Sequence, residues 1–454
     1  MQKFDVAILG AGPGGYSTAL AVVSEGLSVA LIEKEEVGGT CLNRGCVPAK
    51  AWISVAETID HAKHMATLAS KPFEYSVDFS KMLAKQKAIV GNFQKGLIAS
   101  LTKKGVTIFK GAGTFASSNE IVVSGAGEPV SVKFKNAVIA TGTSPARLFD
   151  LPESLVLDNT SIFNLESAPE SMLIVGAGAI GCEFASLFSR LGTAVTLVEL
   201  EPRILPMEDS EISKALEREF KKAKIKVLKG VGLSSLVQFE NGVKAMFADG
   251  SALTAEKALV SVGRRFDTDK LGLDKASVAV NKKGAVVTDE MMRTSAPNIY
   301  ATGDVAGKHM LAYTAYKEGE FVARVIAGKN VSLGEMLVPN AIFTIPEIGS
   351  VGITEENAPD GASTGTFLFR GLARSHATGE IAGFVKVIAD GKTDKILGVH
   401  MIGARSTDLI HIGAVAMAQG MTAKGLGNLL FAHPTFAEGL LEAVRDVHGE
   451  ALHK

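Results

Sequence analysis

The sequence predicts an α/β protein with two Rossmann-like dinucleotide-binding domains and a C-terminal domain of α+β character. Three observations predict it. The short apolar run Val6 to Leu9 leads into Gly10-Ala-Gly12-Pro-Gly14-Gly15. A second run, Met172 to Val175, leads into Gly176-Ala-Gly178-Ala-Ile180-Gly181. Beyond Val338 the pattern changes to alternating apolar runs separated by helical segments.

Each element follows from its local pattern. After the first glycine turn, Tyr16 to Glu25 reads as a helix, and Ser28 to Ile32 as a strand that ends at Glu33. The second unit repeats this, with a helix over Cys182 to Leu191 and a strand Ala194 to Val198 that ends at Glu199. Between the units, Ala51 to Ser70 and Phe79 to Lys104 have amphipathic helical periodicity, and Val106 to Val132 is β-rich. The strand Ala137 to Ile139 runs into Ala140-Thr141-Gly142, and a strand over Asn298 to Ala301 runs into Thr302-Gly303-Asp304. The last part holds strands at Gly383 to Ile388 and Ile396 to Met401, and helices at Asp408 to Gln419 and Glu438 to Val447. The expected segments are 1–145, a first dinucleotide domain; 146–265, a second; 266–337, the first domain resuming; and 338–454, a separate final domain.

Composition limits the function classes. The 454 residues carry 47 Lys+Arg against 48 Asp+Glu, so no electrostatic footprint for nucleic acid is present. Mean hydropathy is +0.23, but the apolar runs, such as Ser171 to Ile180, are too short to span a bilayer of ~30 Å. Three cysteines exclude a disulfide scaffold, and no His/Cys cluster completes a metal site. The N-terminus reads directly into a strand without a targeting signal, which makes the cytoplasm the default expectation.

The glycine turns suit a pyrophosphate, because backbone N–H groups and the positive end of a helix converge there. Glu33 lies 23 positions after Gly10, and Glu199 the same 23 after Gly176. An acid in that place accepts hydrogen bonds from a ribose, and at Glu199 it would repel the 2′-phosphate of NADP. Arg203 stands close enough in sequence to oppose that preference.

The segment Gly38-Gly39-Thr40-Cys41-Leu42-Asn43-Arg44-Gly45-Cys46-Val47-Pro48-Ala49-Lys50 holds two of the three cysteines, five positions apart. A regular helix separates such positions by ~7.5 Å along its axis. A bridge usually needs Cα atoms within ~6.8 Å, so a disulfide here needs a distorted turn, which Gly45 permits. A reversible redox couple is one reading; two buried thiols, or two ligands of a shared metal, is the other. Cys182 is expected to be a packed helix residue. Near the C-terminus, His433-Pro434-Thr435-Phe436-Ala437-Glu438 offers a histidine whose tautomer a carboxylate could fix, with Thr435 expected to cap the helix that presents Glu438. His61, His64 and the run Lys221 to Lys226 are expected at the surface.

Taken together and in order, these motifs resemble the flavin-dependent pyridine nucleotide–disulfide oxidoreductases over essentially the whole chain. The resemblance implies FAD held by Gly10, Gly12, Gly14, Gly15, Glu33, Lys50, Gly113, Ala140, Thr141, Gly142, Asp304 and Ala312. It implies NAD held by Gly176, Gly178, Ile180, Gly181, Glu199 and Gly263. Cys41 and Cys46 would be the redox-active disulfide, Lys50 would pair with Glu183 beside the flavin, and His433 with Glu438 would act on the cysteines of the other subunit of a homodimer through a C-terminal dimerisation domain. The implied reaction is oxidation of dihydrolipoamide with NAD as acceptor, on the lipoyl domains of 2-oxo acid dehydrogenase complexes or the glycine cleavage system. Two other readings stay open: a glutathione-disulfide reductase-like flavoenzyme, and a mainly structural subunit of such a complex. Two departures stand out. Tyr313 replaces a frequent His, and Ala49 a frequent Ser.

Overall fold

The computed structural model describes residues 2–71 and 76–454. They form two compact units, Met1–Ala51 with Lys81–Ala146 and Gly263–Met336, and Trp52–Ser80 with Arg147–Val262 and Leu337–Lys454.

The first unit is organised by a parallel sheet. Strand Gln2–Leu9 lies between Val29–Glu33 and Val130–Ile139, with Thr107–Lys110 beyond the former and Ile299–Ala301 beyond the latter. Antiparallel strands Ala112–Ser117 and Glu120–Ser124 extend the sheet. The apolar runs Val6–Leu9 and Val29–Ile32 are fully buried, as strands covered on both faces must be. Because the strand order reverses between Gln2–Leu9 and Val130–Ile139, a crevice opens at their carboxyl ends, where a ligand of an open α/β sheet binds.

The second unit repeats this arrangement. Its parallel sheet has Ser171–Val175 between Ala194–Glu199 and Lys257–Val260. A three-stranded antiparallel sheet, Leu233–Phe239, Gly242–Phe247 and Ala252–Ala255, packs beside it. The C-terminal part contributes a five-stranded antiparallel sheet in which Ile348–Gly352, Ile396–Ile402 and Phe384–Ala389 are neighbours. Helices Ser406–Ala418 and Glu438–Asp446 pack on it, giving the α+β character expected.

Several boundaries differ from the sequence reading. The helix expected over Ala51 to Ser70 spans Cys46–Leu68. Pro48 falls in its first turn, where a missing N–H breaks no intrahelical bond. The segment expected to belong wholly to the first dinucleotide domain also divides, since residues 52–80 pack with the second unit. Trp52, fully buried, explains this: its ring meets Phe163 at 5.0 Å, Phe79 at 5.6 Å and Phe188 at 6.4 Å.

The segments read as two separate domains, 146–265 and 338–454, share that second unit. A buried ionic cluster joins them. Lys386 Nζ, 1% exposed, donates to Asp209 Oδ1 at 2.9 Å and to Glu355 Oε2 and Glu211 Oε2 at 2.6 Å. Removing Lys386 leaves the buried Asp209 carboxylate without its cation, while Glu211 and Glu355 are about half exposed to water. Lys386→Ala is therefore expected to lower the unfolding free energy by about 3–5 kcal/mol in urea titrations, whereas substituting an exposed lysine such as Lys221 should cost well under 1 kcal/mol.

Candidate active site

Both glycine turns close in the same way. Gly10, at φ +95°, brings its Cα so near the neighbouring crossover that a Cβ would lie 2.4 Å from Ala140 O; a Cβ on Gly15 would lie 1.8 Å from Gly10 O. In the second unit the corresponding distances are 2.6 Å from Ser261 O at Gly176 and 1.9 Å from Gly176 O at Gly181. Gly14 packs against Thr302, and Gly12 starts the helix Pro13–Ser24. Around Gly178, Gly142 and Gly263 the space where a Cβ would stand is open. These three glycines are therefore not required by internal packing, and their backbones are open to a ligand.

The two acids have a role that the motif alone does not reveal. Glu33 Oε2 accepts from Ala11 N at 2.7 Å and Oε1 from Glu35 N at 2.7 Å. Glu199 Oε2 accepts from Ala177 N at 2.6 Å and Oε1 from Glu201 N at 2.9 Å. Each carboxylate clamps its own glycine loop to the strand end, and each oxygen keeps a second lone pair for a ribose. Burial pushes the Glu33 carboxyl above its usual range, against the Ala11 hydrogen bond. Arg203 is committed elsewhere: its guanidinium makes paired bonds to Glu356 at 2.5 and 2.9 Å.

Other expected cofactor residues collect at the first sheet's carboxyl edge. Asp304 Oδ2 accepts from Thr143 Oγ1 at 3.0 Å and lies 3.6 Å from the Arg264 guanidinium. The buried hydroxyls of Thr141 and Thr302 have no hydrogen-bond partner among the described residues. Polar groups of this kind, beside a backbone that only glycine allows, fit the FAD that the resemblance implies. Ala312 opens the helix Ala312–Ile326, and Ile180, 39% exposed, lies in the first turn of Ala179–Arg190. Gly113 differs: its missing side chain makes room for Leu9 and Ile32 inside the sheet packing.

The cysteine segment is built by two helices that meet at Gly45. The short helix Gly39–Arg44 carries Cys41, and Cys46 begins the long helix Cys46–Leu68. A Cβ on Gly45 would stand 2.9 Å from Thr40 O, so the break between the helices depends on that glycine. Asn43 Nδ2 donates to the carbonyls of Val37 and Gly39 at 3.1 and 3.0 Å and fixes the turn. The break brings the two sulfurs into hydrogen-bond contact. That contact, then burial, holds the Cys41 thiol far above its usual range, while Lys50, one helical turn beyond Cys46, opposes the rise. Glu183, in the second unit, is buried and accepts from Phe343 N at 2.9 Å. Cys182 is fully buried and bonds Ala177 O at 3.3 Å, as a packed helix residue should.

A cavity of about 610 Å³ opens at Cys41. Leu42 and Val47 form one wall, Asn92, Phe93, Gly96 and Leu97 of helix Phe79–Lys103 another, and Tyr16 and Tyr316 complete it. None of these residues carries a formal charge. The sequence reading missed both tyrosines and the helix face, because only the fold brings positions 16, 92–97 and 316 together.

In the second unit, His433 Nδ1 meets Glu438 Oε1 at 2.8 Å, and the His433 side chain is 68% exposed. The pairing agrees with the expectation, but the expected cap does not form. Thr435 Oγ1 donates back to Ala432 O, while Glu438 Oε2 accepts from Thr435 N at 2.7 Å. The carboxylate therefore holds both the imidazole and the turn, and Thr435 is not the N-cap. His61, His64 and the lysines at 221, 222, 224 and 226 are exposed, as expected.

Comparisons with known proteins agree on the whole length. A family model described as pyridine nucleotide-disulphide oxidoreductase matches residues 4–319, and one for the dimerisation domain of that family matches residues 338–444. A dihydrolipoyl dehydrogenase from Chlamydia muridarum is 36% identical over 96% of this chain and 95% of its own. Among solved structures, LpdA from Mycobacterium tuberculosis superposes with a TM-score of 0.90 at 26% identity, covering 98% of this chain and 99% of that one. The HOCl-induced flavoprotein disulfide reductase RclA from Escherichia coli gives 0.87 at 26% identity, covering 97% and 99%.

One buried acid at the first site was not legible in the sequence. Glu318, fully buried, holds Gly303 N at 2.7 Å and so fixes the turn that presents Asp304. Burial, only partly offset by that hydrogen bond, raises its carboxyl from the usual 4.5 to about 7. The folded chain then keeps a proton that the unfolded chain has released. The stabilisation is fully present below pH 4.5 and is lost as pH rises through 7. Between pH 5 and 8, the unfolding free energy of the wild type is expected to fall by roughly 2 kcal/mol more than that of Glu318→Gln, measured by denaturant titration at each pH.

Proposed function

The chain belongs to the pyridine nucleotide–disulphide oxidoreductase family, and we propose that within it the protein acts as a dihydrolipoyl dehydrogenase. The observation that carries this reading is the cavity at Cys41. Its lining is apolar apart from two phenols and one amide. A dihydrolipoyl arm is a hydrocarbon chain bearing two thiols and an amide, and it suits such walls. Glutathione, with two carboxylates and an ammonium group, would leave its charges unpaired there. The 36% identity to a dihydrolipoyl dehydrogenase over nearly the full chain supports the same choice.

FAD and NAD are the cofactors of the family; FAD held at the first glycine turn, beside Thr141, Thr302 and Asp304, would supply two-electron transfer between the cysteines and NAD held at the second. The engagement of Arg203 with Glu356 removes the nearby cation that NADP would need, which favours NAD at Glu199. The remaining chemistry falls to side chains. Glu438 holds the His433 tautomer so that Nε2 can take a proton from a substrate thiol. The thiolate formed is the nucleophile, and Cys41, lining the cavity, is its target. Cys46 is the thiol that departs from the cysteine pair, one helical turn before Lys50. In a homodimer, supported by the match to a dimerisation domain that spans both residues, His433 and Glu438 of one subunit would serve the cysteines of the other. The proposed partners are lipoyl domains of a 2-oxo acid dehydrogenase complex or the glycine cleavage system, in the cytoplasm.

Anaerobic mixing of the holoenzyme with dihydrolipoamide and NAD should produce NADH, followed in the near ultraviolet, with far less NADPH from NADP. Cys46→Ser should abolish turnover while leaving the dimer assembled, an outcome that a structural subunit would not show. His433→Gln should slow it by roughly 10²–10⁴-fold. Absence of NADH from a flavin-replete wild type, together with reduction of glutathione disulfide, would overturn the assignment.

A further inference from the structure

The two tyrosines in the cavity form a pair that the mechanism above does not use. Tyr16 Oη donates to Tyr316 Oη at 2.8 Å, and the rings lie 5.7 Å apart. Tyr16 comes from the first turn-and-helix of the chain, and Tyr316 from a helix 300 positions later. Because Tyr316 accepts from Tyr16, its own proton is not needed for the pair, and among the described residues it has no other hydrogen-bond partner. It lines the same cavity as Cys41. Burial raises both phenols above their ordinary range, and the charge of either cysteine thiolate raises them further, so both remain neutral donors when a thiolate forms.

We propose that the Tyr16–Tyr316 pair is a polarised hydrogen-bond donor for the Cys41 sulfur, with Tyr316 supplying the O–H that stabilises the Cys41 thiolate as it leaves. The inference rests on the dithiol reading for the identity of the substrate. In that reaction the first substrate thiolate attacks Cys41 Sγ. A new S–S bond forms, the Cys41–Cys46 bond breaks, and its electron pair leaves on Cys46. The base releases that first proton to solvent; the second substrate thiol then gives its own proton to the base and attacks the substrate sulfur bonded to Cys41. The mixed disulfide breaks, and its electron pair leaves on Cys41. The substrate loses two electrons and two protons, and the cysteine pair gains the two electrons. Cys41 thus carries a full negative charge only at the end, in a cavity whose lining residues are uncharged, with Lys50 acting on it from outside that lining. A neutral donor already held in place is what such a charge requires.

The test needs no lipoyl substrate, so its failure is separable from failure of the functional assignment. Holoenzyme reduced by NADH is treated with iodoacetamide across pH, and carbamidomethylation of Cys41 is followed by peptide mass spectrometry. Tyr316→Phe keeps the ring and removes the donor. It is expected to raise the apparent pKa of Cys41 by about one unit, which is about a tenfold loss of thiolate below that pKa. Tyr16→Phe, which leaves the Tyr316 hydroxyl but no longer polarises it, should shift it in the same direction by less than half as much. The flavin visible spectrum of each variant reports whether the site is otherwise intact. Identical Cys41 profiles for wild type and both variants would overturn the proposal, as would a full shift in Tyr16→Phe with none in Tyr316→Phe. Should Tyr316→Phe fail to fold, Tyr16→Phe alone decides: a profile unchanged from wild type overturns the pair.

Discussion

The clamp between a strand-end carboxylate and the first amide of a glycine loop governs both glycine turns. Glu33 holds Ala11 N, and Glu199 holds Ala177 N, with nearly the same geometry in two units far apart in sequence. A charged hydrogen bond of this kind contributes on the order of 1.5–3 kcal/mol, but its larger effect is positional. It fixes where the loop turns, and so which way the backbone N–H groups at the start of the helix point. The glycines are the complement of that clamp. With Gly15 approaching Gly10 O to the limit of contact, and Gly181 approaching Gly176 O likewise, helix and strand cannot separate by even one methyl group. Each glycine turn is therefore set by backbone against backbone, with one acid as the fastener.

The first of these loops also anchors the redox segment. Gly39 packs against Gly12, where a Cβ would lie 2.5 Å from its Cα, so the helix that carries Cys41 is seated on the nucleotide loop itself. Gly45 then breaks the chain between the two cysteines and brings their sulfurs together. The helix that begins at Cys46 carries Lys50 one turn later. Nucleotide loop, cysteine pair and lysine thus form one continuous piece of chain, and little conformational freedom is left between them.

The dyad in the second unit follows a different logic. Glu438 holds His433 with one oxygen and the turn with the other, so the imidazole is oriented although it is mostly exposed. An oriented but exposed histidine suits a group that acts on something outside its own unit. Its surroundings agree with that: Leu430 is fully exposed and Leu429 49% exposed, in the segment matched to the family's dimerisation domain.

By itself the sequence determined the two parallel-sheet units, the paired acids, the cysteine couple and the His433–Glu438 pairing. All of these are encoded within a few turns of chain: a glycine turn after an apolar strand, an acid at a fixed distance, a glycine between two cysteines. What it misread was equally local in cause. Thr435 has the residue type of a cap, yet its hydroxyl donates back to Ala432 O and the helix begins only after Ala437. Gly113 has the type of a ligand contact, yet it makes room for Leu9. Only the tertiary structure decided how the long helix divides between units, that Trp52 and Lys386 join segments read as separate, and that Glu318 stands behind Gly303. It alone assembled the wall of the Cys41 cavity from residues 16, 92–97 and 316. The physical reason is that periodicity and motif spacing report which face of an element is apolar, whereas the partner of that face is chosen by packing between residues hundreds of positions apart.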